Sequence, residues 1–124
     1  MIRTGLAAFA LLALTACMTD KPPLAFTNQP IDVAKSQTDI ETAIVRSLED
    51  RGWMVTEKTP GRVVAKIDVR ARHSATIAIS YTATTYSIAY VDSSGLDYDA
   101  KKGTIHRNYN RWIANLNNDI AART

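Results

Sequence analysis

The sequence predicts a small α+β domain in which a four-stranded antiparallel meander carries two helices on one face. Three observations point to this fold. The chain has 124 residues, which is enough for one domain. Two segments repeat apolar residues at helical spacing, and the segments between them alternate apolar and polar residues with a period of two. A four-stranded sheet must cover its apolar face, and two amphipathic helices do so in a two-layer sandwich of order αββββα.

The two predicted helices bracket the strands. The first is expected over residues 38–51, because one face collects Ile40, Ala43, Ile44, Ser47 and Leu48. Ser36 and Asp39 form a short-armed capping box at its start, and Gly52 marks its end. The second is expected over residues 105–121, because an apolar stripe of helical period joins Ile105, Tyr109, Trp112, Ile113, Leu116 and Ile120.

The alternating segments predict four strands, at residues 53–58, 63–72, 75–81 and 86–91. Pro60 and Gly61 predict a tight turn between the first two strands. The link at His73 and Ser74 is either a turn or a bulge in a longer ribbon. The link through Ala83 and Thr84 lacks both Gly and Pro. One face of this sheet is left open to water or to a partner.

Residues 1–16 are predicted to be a lipoprotein signal peptide that is cleaved. Arg3 gives a positive start, and the apolar run over residues 6–14 is too short to span a bilayer but fits a signal-peptide core. Residues 14–17, Leu-Thr-Ala-Cys, resemble the bacterial lipobox. That resemblance implies acylation of Cys17 with fatty acids such as palmitate, so the first expected partner is a lipid bilayer. Cys17 is the only cysteine, so no intramolecular disulfide can form.

Residues 17–35 are predicted to be the lipidated Cys and a tether, followed by the single domain over residues 36–124. The segment contains Pro22, Pro23 and Pro30, which oppose regular structure. Fully extended, it reaches about 60 Å. Its apolar residues give part of it a means of docking on the domain, at Leu24, Phe26 and Ile31.

Composition argues against several classes of function. The formal charge of +3 falls to +2 once Arg3 is removed with the signal peptide, which is too weak for a nucleic-acid partner. The only histidines are His73 and His106, so no cluster of metal-ligand residues is visible. No glycine-rich phosphate loop is present. We therefore expect no metal, no cofactor and no nucleic acid.

Polar side chains concentrate between the last strand and the last helix. We predict that five of them converge as a candidate binding site: Asp92, Ser93, Tyr98, His106 and Asn110. The last helix must begin near the end of the last strand if its apolar stripe is to cover the sheet, and its two polar candidates are four residues apart, on one side of the helix. The alternative, which stays open, is that the same residues end a strand and anchor a loop.

The C-terminal half resembles a group of small bacterial lipoproteins of unknown function. The residues that carry this resemblance are Tyr86–Ser93, Leu96, Tyr98, Ile105, His106, Asn108–Asn110, Trp112 and Leu116. The resemblance implies an envelope location and brings no activity with it. In lipoproteins of many Gram-negative bacteria, Asp directly after the lipidated Cys favours the inner membrane. Met18 at that position implies the outer membrane, facing the periplasm.

These observations favour a non-enzymatic envelope lipoprotein that binds a partner, either an envelope protein or a small ligand, at the membrane surface. The first alternative is a hydrolase that uses Ser94, His106 and Asp92, which supply the residue types of a nucleophilic triad. The nucleophile elbow Gly-Xaa-Ser-Xaa-Gly is absent from the sequence. The second alternative is a purely structural envelope component with no site.

Overall fold

An antiparallel sheet and two helices make up the fold of the computed structural model, which describes residues 20–124. The elements follow in the order β1 (Phe26–Pro30), α1 (Gln37–Asp50), β2 (Met54–Thr59), β3 (Arg62–Val69), β4 (His73–Tyr81), β5 (Thr85–Ser94) and α2 (Arg107–Arg123). The strands lie side by side in the order β1-β5-β4-β3-β2, and every neighbouring pair is antiparallel. The predicted α+β class is confirmed. Cys17 lies outside the described residues.

Both helices begin at side chains that cap them. The Ser36 hydroxyl accepts a hydrogen bond from the Asp39 N–H at 3.1 Å, as the sequence predicts. At the start of α2, His106 Nδ1 accepts the Asn108 N–H at 3.0 Å. Because His106 is this N-cap, α2 begins two residues later than predicted.

One core joins the helices to a single face of the sheet. It contains alternate residues of β3, β4 and β5 together with the predicted apolar faces of α1 and α2. Trp53 and Tyr86 are buried in it, as their alternation predicts. The residues of β4 that point to the other side of the sheet are small or polar: Ser74, Thr76, Ala78 and Ser80. The core therefore lies on one side of the sheet, as a two-layer fold requires.

The prediction of four strands is wrong, because Phe26–Pro30 forms β1 at the edge of the sheet beside β5. An edge strand bonds on one side only, so it tolerates proline at its end. Asn28, with φ of 50°, lies where the register between β1 and β5 shifts. Ile31 then enters the core, and Leu24 packs against it. Burial of these apolar side chains outweighs the local preference of the prolines for irregular structure.

The segment before β1 is bonded to Ile105 and to the first turn of α2, so residues 21–24 of the predicted tether dock on the domain. The Ile105 N–H donates to the Lys21 carbonyl at 2.8 Å. The Asn110 side chain accepts the Leu24 N–H at 2.6 Å through Oδ1 and donates to the Pro22 carbonyl at 3.0 Å through Nδ2. This one amide satisfies two backbone groups that the prolines leave without a regular partner.

The loop between β3 and β4 spans residues 70–72, since Val69 pairs with His73. Neither sequence interpretation of His73 and Ser74 holds, because β4 already begins at His73. Arg70 and Ala71 both adopt φ of 55°, a left-handed conformation that carries a steric cost for residues with a Cβ.

We predict that Ala71→Gly raises the free energy of unfolding by about 1 kcal/mol, because glycine adopts this φ without the steric cost. The matched control is Ala89→Gly at an exposed position of β5. There the same change is expected to lower stability by about 0.5–1 kcal/mol. Urea denaturation measures both. Equal losses at the two positions would contradict a strained loop.

Candidate functional site

A cleft opens where β5 runs into the loop before α2. Its volume is about 500 Å³, and all of its lining residues come from the stretch 90–98: Tyr90, Val91, Asp92, Ser93, Gly95, Leu96, Asp97 and Tyr98. We call it the Tyr98 cleft. Asp92 pairs with Thr76 while Tyr90 pairs with Ile77, so Val91 is an extra residue in β5. Such a bulge redirects side chains at the end of a strand, and Val91 is 49% exposed here.

The aromatic wall of the cleft rests on the core. The Tyr98 ring stacks on Tyr90 with 4.7 Å between centroids, and Tyr90 meets the buried ring of Tyr109 edge-on at 5.6 Å. The Tyr90 hydroxyl lies 2.8 Å from the Ser93 hydroxyl. Burial raises the pKa of both Tyr90 and Tyr109, so both phenols stay neutral. Tyr98 is thus held in place by the Tyr90 ring on which it stacks, and it remains 43% exposed.

The loop of the cleft is fixed to the hairpin between β3 and β4. His73 Nδ1 lies 2.7 Å from the Gly95 carbonyl oxygen. Gly95 has φ of 74°, and a Cβ added there would lie 1.9 Å from the Arg72 carbonyl oxygen. Only glycine fits this close approach of two backbone segments. The sequence analysis predicted no contact between His73 and Gly95, although both residues position the end of β5.

The structure brings together three of the five predicted site residues, since Asp92, Ser93 and Tyr98 line the cleft and His106 and Asn110 do not. His106 caps α2, and its backbone N–H donates to the Leu96 carbonyl at 2.8 Å. Asn110 holds the N-terminal segment. The first turn of a helix leaves N–H groups without intrahelical partners, and this need explains the position of His106. The structural alternative accounts for the contacts that these two residues make.

The cleft also contains Tyr90 and Asp97, which the sequence analysis did not select. Tyr90 alternates with the core residues of its strand, so its pattern indicates packing alone. The bulge after it follows from pairing with β4, and nothing local in the sequence reveals it. Asp97 follows Leu96, which is buried at 1% exposure, and its neighbours in the sequence indicate only a polar loop.

Two residues of the hydrolase hypothesis, Ser94 and His106, make other contacts in the structure. Ser94 pairs with Ser74 at the end of β5, and His106 Nδ1 is occupied by the Asn108 N–H. From residue 20 to the C-terminus, no hydrogen bond joins Ser94 or Asp92 to His106. A nucleophile and its base are expected within hydrogen-bond reach. The cleft instead offers an exposed ring, a hydroxyl and two carboxylates, which are groups suited to binding.

Comparisons with known proteins do not assign the chain to a family. No protein-family model matches the chain, no curated protein matches it, and no solved structure matches it. The resemblance to small bacterial lipoproteins therefore stays a prediction. Among residues 20–124, no group of three or more His, Cys, Asp and Glu side chains could hold a metal ion. In the same part of the chain, neither helix is long and apolar enough to cross a membrane.

We predict that Gly95→Ala lowers the free energy of unfolding by at least about 2 kcal/mol more than Gly103→Ala, because its Cβ meets the Arg72 carbonyl. Gly103 also has a positive φ, of 68°, but a Cβ there meets nothing within 4 Å. The control thus isolates the conformational cost from the clash. Thermal unfolding of the two variants measures the difference. Similar losses would show that the loop is not held against the hairpin.

Proposed function

We propose that the protein is a non-enzymatic, lipid-anchored binding protein of the bacterial envelope, and that its Tyr98 cleft binds a partner at the membrane surface. The observation that carries this proposal is that the cleft and the entry point of the chain lie at the same end of the domain. The Ile105 N–H bonds to Lys21, and the N–H of the next residue, His106, bonds to Leu96 in the cleft. Consecutive residues thus link the N-terminal segment to the cleft.

The docked N-terminal segment makes the proposed lipid anchor short. Four residue steps separate Cys17 from Lys21, and they span at most about 14 Å. A lipid on Cys17 then keeps the end of the domain that carries the cleft beside the headgroups. The outer membrane, facing the periplasm, is the location that Met18 implies for this arrangement.

The exposed groups of the cleft favour a partner that presents a cation. Asp92 and Asp97 are both exposed, and neither lysine nor arginine lines the cleft. The face of an exposed tyrosine such as Tyr98 attracts an ammonium or guanidinium group. A lysine or arginine side chain of an envelope protein, or a small ligand with an ammonium group, therefore suits the site. A purely structural component leaves this combination of exposed ring and carboxylates without a role.

The lipid anchor is tested by Cys17→Ala. Without the acceptor thiol, the precursor is expected to remain uncleaved and to lack acyl chains, since lipobox processing depends on that residue. Labelling with radioactive palmitate and separation of inner and outer membranes measure this. A Cys17→Ala protein that is still cleaved and still sediments with the outer membrane contradicts the proposal.

Partner binding is tested by photo-crosslinking in cells. A photoreactive phenylalanine at Tyr98 is expected to give a discrete adduct, and the same residue at Val33, which is 67% exposed, is expected to give none. Asp92→Asn combined with Asp97→Asn is expected to reduce the adduct at least several-fold, because the cation loses its counter-charges. Equal adducts at positions 98 and 33 contradict a cation-binding cleft. So does an adduct at position 98 whose yield is unchanged in the Asp92→Asn, Asp97→Asn double variant.

A further inference from the structure

A second cleft lies between the C-terminal end of α1, the end of β3 and the middle of α2. Its volume is about 280 Å³, and six residues line it: Arg51, Trp53, Ile67, Val69, Trp112 and Asn115. We call it the Trp cleft. It shares no residue with the Tyr98 cleft. We propose that the Trp cleft binds a small aromatic carboxylate.

The walls of the Trp cleft are aromatic and apolar. They include both tryptophans of the chain, with Trp53 only 3% exposed and Trp112 half-buried. The ring contacts of the described residues involve tyrosines alone, so the two indoles do not stack on each other. Ile67 and Val69 complete the apolar lining. An aromatic ring makes favourable contacts with indole walls of this kind.

The guanidinium and the two indole N–H groups of the Trp cleft are hydrogen-bond donors, while the Asn115 amide both donates and accepts. Throughout residues 20–124, no side chain or backbone group accepts a hydrogen bond from the indole N–H of Trp53 or Trp112, and the Asn115 amide is unpartnered. Arg51 gives its Nε and Nη2 donors to Asp119, which leaves Nη1 free and holds the guanidinium in place. A tryptophan N–H and a guanidinium only donate.

The free Arg51 Nη1 and the two indole N–H groups indicate a ligand that presents hydrogen-bond acceptors. None of the residues that line the Trp cleft is acidic, and a carboxylate accepts several N–H groups at once, with arginine as its strongest partner. The volume lies just below the range of pockets that hold drug-sized ligands, so a single ring with its carboxylate is the suitable size. The ligand thus combines a ring for the indoles with a carboxylate for Arg51.

Both tryptophans line the cleft, so intrinsic fluorescence reports its occupancy directly. The experiment titrates the full chain, acylated and held in phosphatidylcholine vesicles, with three brominated probes that quench indole on contact. They are 4-bromobenzoate, the neutral 4-bromobenzyl alcohol and the aliphatic 6-bromohexanoate. We expect saturable quenching by 4-bromobenzoate, with a Kd at least ten-fold lower than for either other probe. Linear quenching without saturation, or equal affinity for all three probes, overturns the proposal.

Two variants locate the binding. Val69→Phe fills the cleft and keeps both indoles, so it is expected to abolish saturable quenching. Arg51→Gln is expected to weaken 4-bromobenzoate about ten-fold and leave the neutral probe unchanged, whereas Arg46→Gln, on an exposed position of α1, is the matched control. If the Arg51→Gln protein unfolds because it loses the bond to Asp119, the Val69→Phe protein still tests whether the probe binds in the Trp cleft. Unchanged binding by a folded Val69→Phe protein overturns the proposal.

Discussion

The rest of the arrangement depends on one constraint, the hydrogen bonds that join Ile105 and Asn110 to the backbone of residues 21–24. They turn the N-terminal segment back along the domain, so that β1 reaches the free edge of β5 and Ile31 enters the core. An uncovered edge strand exposes backbone groups that can pair with another chain. Docking of this segment therefore moves the exposed edge from β5 to the short strand β1, which ends in proline, and it fixes where the chain enters the domain.

Ion pairs and hydrogen bonds join the C-terminal end of α1 to the C-terminal part of α2. Arg51 bonds Asp119, and Arg123 bonds both Asp50 and the buried hydroxyl of Ser47. The bond from Arg51 lowers the pKa of Asp119, which keeps this carboxylate charged at neutral pH. Exposed ion pairs stabilise a fold little, so their main consequence here is geometric. They hold Arg51 at the rim of the Trp cleft while the core residues bring the helices together.

The sequence predicts the elements whose signals are local. Ser36 caps α1, and apolar stripes identify the buried faces of both helices, because these features need no knowledge of the partner surface. The edge strand β1 is missed because its prolines oppose a strand and only pairing with β5 overrides them. The left-handed turn at Arg70 and Ala71 is missed for a related reason, since it uses no glycine. Such features depend on tertiary contacts, which the local pattern of apolar and polar residues does not reveal.

The candidate site also contains residues that local sequence patterns place together and residues whose positions depend on tertiary contacts. Asp92, Ser93 and Tyr98 are placed together because the end of a strand and the loop that follows it share one edge of the sheet. His106 and Asn110 lie outside the cleft because polar residues at a helix start satisfy backbone groups. Their real partners, Asn108 and the segment around Leu24, emerge only once the chain has folded back. The polar residues of this stretch thus serve two purposes. Some line the cleft, and the others hold the start of α2 and the N-terminal segment in place.

Distance from the bilayer tests the lipid-anchored arrangement most directly. The proposed acylation of Cys17 would leave no free thiol, so a fluorophore can be attached at Lys101→Cys, in the loop that follows the cleft, or at Thr84→Cys, in the turn at the other end of β4 and β5. The nine residues of β4 separate these ends by about 25 Å. In vesicles with spin-labelled headgroups, the label at position 101 is expected to be strongly quenched and the label at position 84 weakly. Equal quenching, or stronger quenching at position 84, would contradict a cleft held at the membrane surface.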